Sequence, residues 1–482
     1  MTNSLLSLYG SSNAEGEGPE QLFPNLPNRA ECFQRVSQSK GYDLVVLGGG
    51  LTGVVTAHQA SLLGMRALVL HEGYFGSSAQ MWSLAYRELF SAPILSRLRG
   101  ARKVGSTVGL ISPHLKRALC VTKERPSIVD RWVQKLCRGS HNSLRAELVQ
   151  CDEKATIRET VLAARQEGAV CLSDVEISFV EAESTTGFYS VGVRDRISEW
   201  SSEVRAGSLL LDPSIVRIPT SRLGRRVGPQ WLDDSVYVRV VCRLQAQHTI
   251  DPRQVVTGSC MGNDYLLSGT SSPEIVEIVL LDSAQDTHQA VEKICSSEGL
   301  VLSEVLFVGK FRQPQAPRHV LEQYGGLFFP RERGPWESWS SAQQVVGELQ
   351  RAAHPEETAA VPLVIRPLPG TPHAGDLERF RTAARAAQVP ESEIAHAVER
   401  WHGRVRYIPE FARGFELVCP GVLRGEVELA YRSDQVATIE DLLFGSLGLE
   451  TDPHWREKVA PLAAAFSEIS GYPVSPLSPV DC

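Results

Sequence analysis

The chain of 482 residues carries 49 basic and 56 acidic residues, which gives a formal net charge of −7. This length predicts two or three domains, because a single hydrophobic core stops growing well below it. No long Lys/Arg tract accompanies the acidic balance, so nucleic acid is not an expected partner. No apolar run reaches the ~18 residues of a membrane span and no C-x-x-C pair is present, so we expect a cytoplasmic protein with reduced thiols.

The first clear signal is a βαβ unit that follows an N-terminal arm at residues 1–40. Tyr42 to Leu47 is an almost continuous apolar run, as expected for a strand buried on both faces. Apolar residues at helical spacing follow at 54–63, and 67–70 reads as a second strand. Between the first strand and the helix stands Gly48-Gly49-Gly50-Leu51-Thr52-Gly53.

A glycine pattern in this position predicts a dinucleotide site. Gly48 permits the tight turn, Gly50 lets the backbone approach a pyrophosphate, and Gly53 lets the helix pack closely on the strand. The N-terminus of the helix then offers unpaired N–H groups to the phosphates. Glu72 is the acid in reach of the ribose hydroxyls, although a shift of one strand position turns it away. The alternative is a glycine-rich turn without a ligand.

Two further features lie between this unit and the C-terminal part. A basic stretch from Arg87 to Lys103 is interpreted as a solvated helix face, with peripheral membrane contact as the alternative. Later apolar runs predict strands in a sheet added outside the parallel one. These runs are 189–193, 204–211, 236–244 and 275–281.

The C-terminal part differs in character. Residues 351–375 form a Pro-rich connection. Helical spacing at 376–402, 425–444 and 454–470 predicts a helical domain over 376–472, and 473–482 reads as a tail. No histidine or cysteine spacing typical of a metal site is present, so no metal is predicted.

Short blocks spread over residues 28–472 match one family of flavoproteins in chain order. They include Asp43–Gly50, Ser112-Pro113-His114-Leu115, Ala163–Val170 and Gly425–Arg432. On these blocks the chain resembles the FAD-dependent glycerol-3-phosphate dehydrogenases, which belong to the D-amino-acid-oxidase-like flavoproteins. The resemblance implies an α/β fold: an FAD-type Rossmann-like domain over 41–350, an interleaved antiparallel-sheet substrate domain, and the helical domain.

The resemblance also implies chemistry. Members of this family bind FAD, oxidise glycerol 3-phosphate to a ketone and pass the electrons to quinone. Their two phosphate-binding arginines correspond to Arg312 and Arg318, and the guanidinium fork suits phosphate oxygens; two surface arginines are the alternative. Ser77 and Ser78 fall in the family's serine-rich loop near the flavin, and His319 is a candidate new base, against a plain surface histidine.

Several flavin contacts of the family are replaced in this chain. His71 stands where the acid after the second strand is expected, and the loop 77–89 lacks the family's His-Gly-Gly step. Asp212-Pro213-Ser214 replaces an Ala-Thr-Gly strand end, which brings a negative charge near the diphosphate. The Gly-Gly-Lys turn falls on Glu332-Arg333-Gly334.

Two hypotheses follow. The first is an FAD-dependent oxidoreductase that acts on a small anionic hydroxy or amino compound and passes electrons to quinone or another acceptor, and we favour it slightly. The second is a non-catalytic paralogue with a degenerate flavin site, which acts as a binding or regulatory protein. An NAD-using enzyme would accept the same glycine motif, but the resemblance along the chain argues against it.

Overall fold

The computed structural model describes most of the chain from residue 26 to residue 471. The described residues are 26–77, 83–86, 99–106, 110–111, 118–119, 147–183, 187–212, 236–250, 255–260, 263–270, 272–281, 286–312, 321–324, 327–330, 335–353, 368–370 and 375–471.

Strands and helices alternate through these residues. The strands are β1 Tyr42–Leu47, β2 Ala67–Leu70, β3 Ser83–Tyr86, β4 Arg99–Ser106, β5 Leu110–Ile111, β6 Ala118–Leu119, β7 Glu147–Asp152, β8 Val170–Leu172, β9 Val175–Ala182, β10 Tyr189–Asp195, β11 Ser201–Leu211, β12 Val236–Leu244, β13 Val255–Cys260, β14 Asn263–Gly269, β15 Ile275–Leu281, β16 Leu302–Arg312, β17 Leu321–Tyr324, β18 Leu327–Pro330, β19 Leu417–Cys419 and β20 Val422–Leu423. The helices are α1 Arg29–Gln38, α2 Leu51–Leu62, α3 Glu153–Gln166, α4 Thr287–Ser297, α5 Pro335–Ala353, α6 Asp376–Ala386, α7 Glu391–Trp401, α8 Arg424–Asp434 and α9 Trp455–Ser470, with 3₁₀ segments at His402–Glu410 and Leu449–Thr451 and a π-helical turn at Asp441–Ser446.

A parallel sheet forms the centre of the fold, in the order β8-β2-β1-β11-β18. Its strands are apolar on both faces because both faces are covered. Helices α2, α3 and α5 cover one face, with Ile157 and Val345 in that core, while α1 and the β9–β10 hairpin cover the other, with Phe33 and Val191. The predicted βαβ unit is therefore confirmed.

One sequence-based assignment was wrong. The strands predicted at 189–193 and 204–211 belong to the central sheet and not to an added one. The first half of β11 forms a hairpin with β10, and its second half runs parallel to β1, with Leu211 opposite Leu47. An apolar strand has the same pattern in either sheet, so only tertiary pairing could place it.

A second, antiparallel sheet follows the order β13-β14-β15-β12-β16. Helix α4 packs on one face of it through Val291 and Ile294, against Val238 and Val276. This sheet contains the predicted strands 236–244 and 275–281, so that part of the prediction is confirmed. The end of the basic stretch is strand β4 and not a helix face, since Arg99 and Arg102 pair with β7.

The C-terminal helices share a core that includes Phe380, Trp401, Leu429 and Phe466. The predicted helix over 376–402 is two helices, because Pro390 lacks an N–H donor and begins α7 as its N-cap. Across the described residues, no helix is both long and apolar enough to cross a bilayer.

Candidate dinucleotide site

The glycine turn joins β1 to α2. Gly48 has φ 112°, a conformation that L side chains rarely adopt, and Gly50 is the extended N-cap of α2. At Gly53, an added Cβ would lie 2.8 Å from Val46 Cγ1. The turn therefore has the shape and the close helix–strand approach that its sequence predicts.

The carboxylate of Asp212 lies at the N-terminus of α2. Because β11 runs beside β1, Asp212 N donates to Leu47 O at 2.8 Å. This hydrogen bond positions Asp212 next to the glycine turn. Its Oδ1 accepts from Gly50 N at 3.1 Å, and its Oδ2 accepts from Gly53 N at 2.6 Å. Asp212 is 1% exposed. Two N–H groups of the turn are thus bound by a side chain of the same protein.

His71 lies in the crevice beyond the ends of β1 and β2. Its ring and the ring of Phe75 lie against Gly49, where an added Cβ would be 2.7 Å and 2.8 Å from them. Burial lowers the pKa of His71 to about 4, so the imidazole is neutral near pH 7. Its Nε2 lies 2.9 Å from Ser77 Oγ. A neutral ring therefore occupies the position next to the turn.

The other predicted site residues are placed as follows. Glu72 is half-buried, and its main-chain oxygen accepts from Arg196 Nη1 at 2.6 Å. Arg312 ends β16, with its backbone opposite Val236, and its side chain is not among those described. Ser78, Arg318 and His319 lie outside the described residues. The structure thus places the three motif glycines in one turn and Ser77 beside His71, and it leaves the pairing of Arg312 with Arg318 as a prediction.

A buried charge cluster was not predicted. It joins Lys154 of α3, Arg239 of β12, Glu277 of β15 and Glu450 near the C-terminus. Lys154 Nζ lies 2.6 Å from Glu450 Oε1, and Arg239 Nε lies 2.7 Å from Glu277 Oε1. Arg239 Nη1 is 3.5 Å from Glu450 Oε1. A charged residue inside each of two apolar strands was the sequence signal that could have revealed it.

The charges in this cluster shift each other's pKa values. Burial lowers the pKa of Lys154, and only its pairing with Glu450 opposes this. Burial also works against ionised Glu450, but the positive charges of Lys154 and Arg239 outweigh it and lower the pKa of that carboxyl. The two cations and the two carboxylates are equal in number, while Arg239 Nη2 has no hydrogen-bond partner among the described residues.

Comparison with known proteins identifies the fold. The chain is similar along 91% of its length to 93% of the glycerol-3-phosphate dehydrogenase of Bacillus halodurans, which was solved in complex with FAD, with a TM-score of 0.62 and 16% identity. The chain has the fold of an FAD-dependent oxidoreductase. The resemblance predicted from the sequence is thus confirmed for the fold of the glycerol-3-phosphate dehydrogenases. No protein-family model matches the chain.

Sequence similarity to this fold group is local. The glycerol-3-phosphate dehydrogenase of Synechocystis sp. is 33% identical over 92 residues, which are 18% of this chain and only 16% of that protein. Glycine oxidase from Geobacillus kaustophilus matches 67% of this chain and 98% of its own, with 16% identity and a TM-score of 0.42.

The residues of the turn do not fit the FAD that this fold implies. A diphosphate bound at such a turn accepts from its N–H groups, and two of these donate to Asp212 instead. A second anion beside this buried carboxylate would be repelled in a site of low dielectric constant. By direct count the neutral His71 stands at the position of the acid that binds the ribose hydroxyls in such folds, and Glu72 is the residue next to it.

Proposed function

We propose that this chain is a non-catalytic protein with the fold of a flavin-dependent oxidoreductase, which acts by binding and regulation. The observation that carries the proposal is the pair of hydrogen bonds from Gly50 N and Gly53 N to the Asp212 carboxylate. A dinucleotide diphosphate needs the same N–H donors. Because Asp212 already accepts from them, they are not available to the diphosphate of the cofactor.

The surroundings of the turn support the same proposal. Rings of His71 and Phe75 pack on Gly49 in the crevice beyond the strand ends, which is where ligands bind in open α/β sheets. The pKa of His71, lowered by burial, keeps this group uncharged near neutral pH. The turn is then occupied, and an uncharged ring stands at the position next to it.

A second candidate is an FAD-dependent oxidoreductase for a small anionic hydroxy or amino compound, with quinone or another electron acceptor. The fold match along 91% of the chain and the intact backbone of the glycine turn favour it. Arg312, at the end of β16, is the candidate for binding the anionic group. In that case Arg312→Lys raises the Michaelis constant for anionic substrates and leaves that for neutral ones unchanged.

The visible absorption spectrum of the purified full chain distinguishes the two candidates. We expect a colourless protein that stays colourless after incubation with excess FAD and removal of the free cofactor. Two flavin bands at about one FAD per chain would overturn the non-catalytic proposal, because that occupancy requires an open diphosphate site.

A further inference from the structure

We infer that Asp212 is an internal replacement for a bound anion, so that its removal converts the glycine turn into a binding site for free diphosphate. The inference deepens the proposed function and rests on it. The glycine turn is still present in this protein, and the carboxylate of Asp212 from the same chain occupies it.

The fold brings this group to the turn. Asp212 is 162 residues from Gly50 in sequence, yet the parallel register of β11 and β1 places it directly beyond Leu47. One carboxylate oxygen is bonded to each of the two N–H groups. This two-point contact matches the way phosphate oxygens are held at a helix N-terminus.

The electrostatics also match those of an anion site. A carboxylate that is 1% exposed is costly unless hydrogen bonds and positive potential compensate for it. Helix α2 begins at Leu51 and runs for 12 residues, so the positive end of its dipole faces Asp212. The same end would stabilise a phosphate group.

The backbone of the turn has the conformation of a phosphate-binding turn. Gly48 has φ 112° in the tight turn, and Gly50 is extended at the N-cap. Without the carboxylate, the N–H groups of Gly50 and Gly53 would each lose this acceptor, which is costly for a buried donor. An added anion would relieve that cost, and this is the driving force for binding.

The test compares pyrophosphate binding to the full-length wild-type chain, Asp212→Ala and Asp212→Asn by titration calorimetry. The matched control is Asp43→Asn, because Asp43 is an exposed carboxylate at the opposite end of β1, paired with Arg66 at 3.0 Å. Titrations into buffers of equal ionic strength remove general salt effects. We expect Asp212→Ala to bind pyrophosphate at least about tenfold more tightly than the wild-type chain, which corresponds to about 1.4 kcal/mol.

The control and the two variants give different results if the inference holds. Asp43→Asn should bind like the wild-type chain, and Asp212→Asn should lie between the wild-type chain and Asp212→Ala, since its amide oxygen accepts one N–H without a charge. Asp212→Ser serves in place of Asp212→Ala if the latter does not unfold cooperatively, because a hydroxyl still caps the helix but carries no charge.

Failure of the inference and failure of the proposed function are distinguishable. Folded Asp212→Ala and Asp212→Ser that bind pyrophosphate no better than the wild-type chain overturn the inference, while a colourless wild-type chain leaves the proposed function standing. A wild-type chain that binds about one FAD overturns the proposed function, whatever the variants do.

Discussion

Gly53 lies where α2 and β1 are closest, and only hydrogen fits there. A Cβ at this position would meet Val46 Cγ1 and Asp212 Oδ2, each at 2.8 Å. We expect Gly53→Ala to lower the free energy of unfolding by about 1–3 kcal/mol, as overpacking does elsewhere. Urea denaturation followed by circular dichroism measures the change.

Gly347 of α5 provides the matched control for this substitution. An added Cβ there has nothing within 4 Å, so Gly347→Ala should be neutral or stabilise the helix by up to about 1 kcal/mol. Equal effects of the two substitutions on unfolding would show that close packing at Gly53 is not what makes its hydrogen necessary.

Asp174, which is partly exposed, and Asp441, which is buried, form a pair of interacting carboxyl groups. Burial raises the pKa of Asp174, and burial together with the charge of Asp174 raises the pKa of Asp441 well above its usual value. The positive charges of Arg29 and Arg196 only partly offset this for Asp174. The pair therefore retains a proton in the folded protein at a pH where the unfolded chain has lost it.

A pH dependence of stability follows from this pair. Because the folded pKa is raised, the stabilisation is complete below the ordinary carboxyl pKa of about 3.9 and is lost as pH rises through the folded value. Asp441→Asn keeps an oxygen that can accept from Ala437 N and Thr438 N, and it removes the titration of residue 441. We expect the free energy of unfolding of the wild-type chain, relative to this variant, to fall as pH rises from about 3.9 through the raised folded pKa.

The comparison with Asp441→Asn also separates the contribution of the carboxyl pair to stability from that of His71. The contribution of His71 changes with pH in the opposite direction. The pKa of His71 is lowered by burial to about 4, so its contribution is lost as pH falls below about 6.5 and not as pH rises. Parallel pH profiles for the wild-type chain and Asp441→Asn would show that the two carboxyl groups do not share a retained proton.

At the level of elements, α3 connects the parallel sheet to the C-terminal helices through buried charges. Lys154 pairs with Glu450, and Glu159 with Arg404 at 3.5 Å. Removing one partner of a buried pair leaves an uncompensated charge. We expect Lys154→Met to lower the free energy of unfolding by about 3–5 kcal/mol, measured by urea denaturation.

A double-mutant cycle isolates this pair. Lys154→Met combined with Glu450→Gln should destabilise by clearly less than the sum of the single changes, because the double variant leaves neither charge alone. Arg205→Met breaks a half-exposed pair with Glu183 at 2.9 Å, and we expect it to leave stability nearly unchanged. Additive effects of the two buried changes would contradict a coupled pair.

Elements that depend on local pattern were predicted well. The apolar run of β1, the glycine turn and the helical spacing of α2 carry their structure in consecutive residues, and the predicted boundaries lie within a few residues of those observed. Strand β11 was predicted as a strand but assigned to the wrong sheet. Its parallel partners β1 and β18 are both more than 100 residues away, and period and composition do not encode which strand it joins.

For the whole molecule, the order of blocks along the chain predicted the fold, which the comparison with the Bacillus halodurans dehydrogenase confirms. The candidate site was only partly accessible from the sequence. The negative charge of Asp212 near the diphosphate position was recognised there as an unfavourable substitution. That its oxygens would bind the N–H groups of Gly50 and Gly53 was not, because the contact depends on the register between two strands.

The sequence by itself determined the βαβ unit, the glycine turn and the fold group, because each is written in short-range periodicity or in motifs of consecutive residues. Only the tertiary structure decided what occupies the turn. Hydrogen bonds between residues 162 positions apart arise from strand pairing and burial, and these are properties of the folded chain that no local pattern contains.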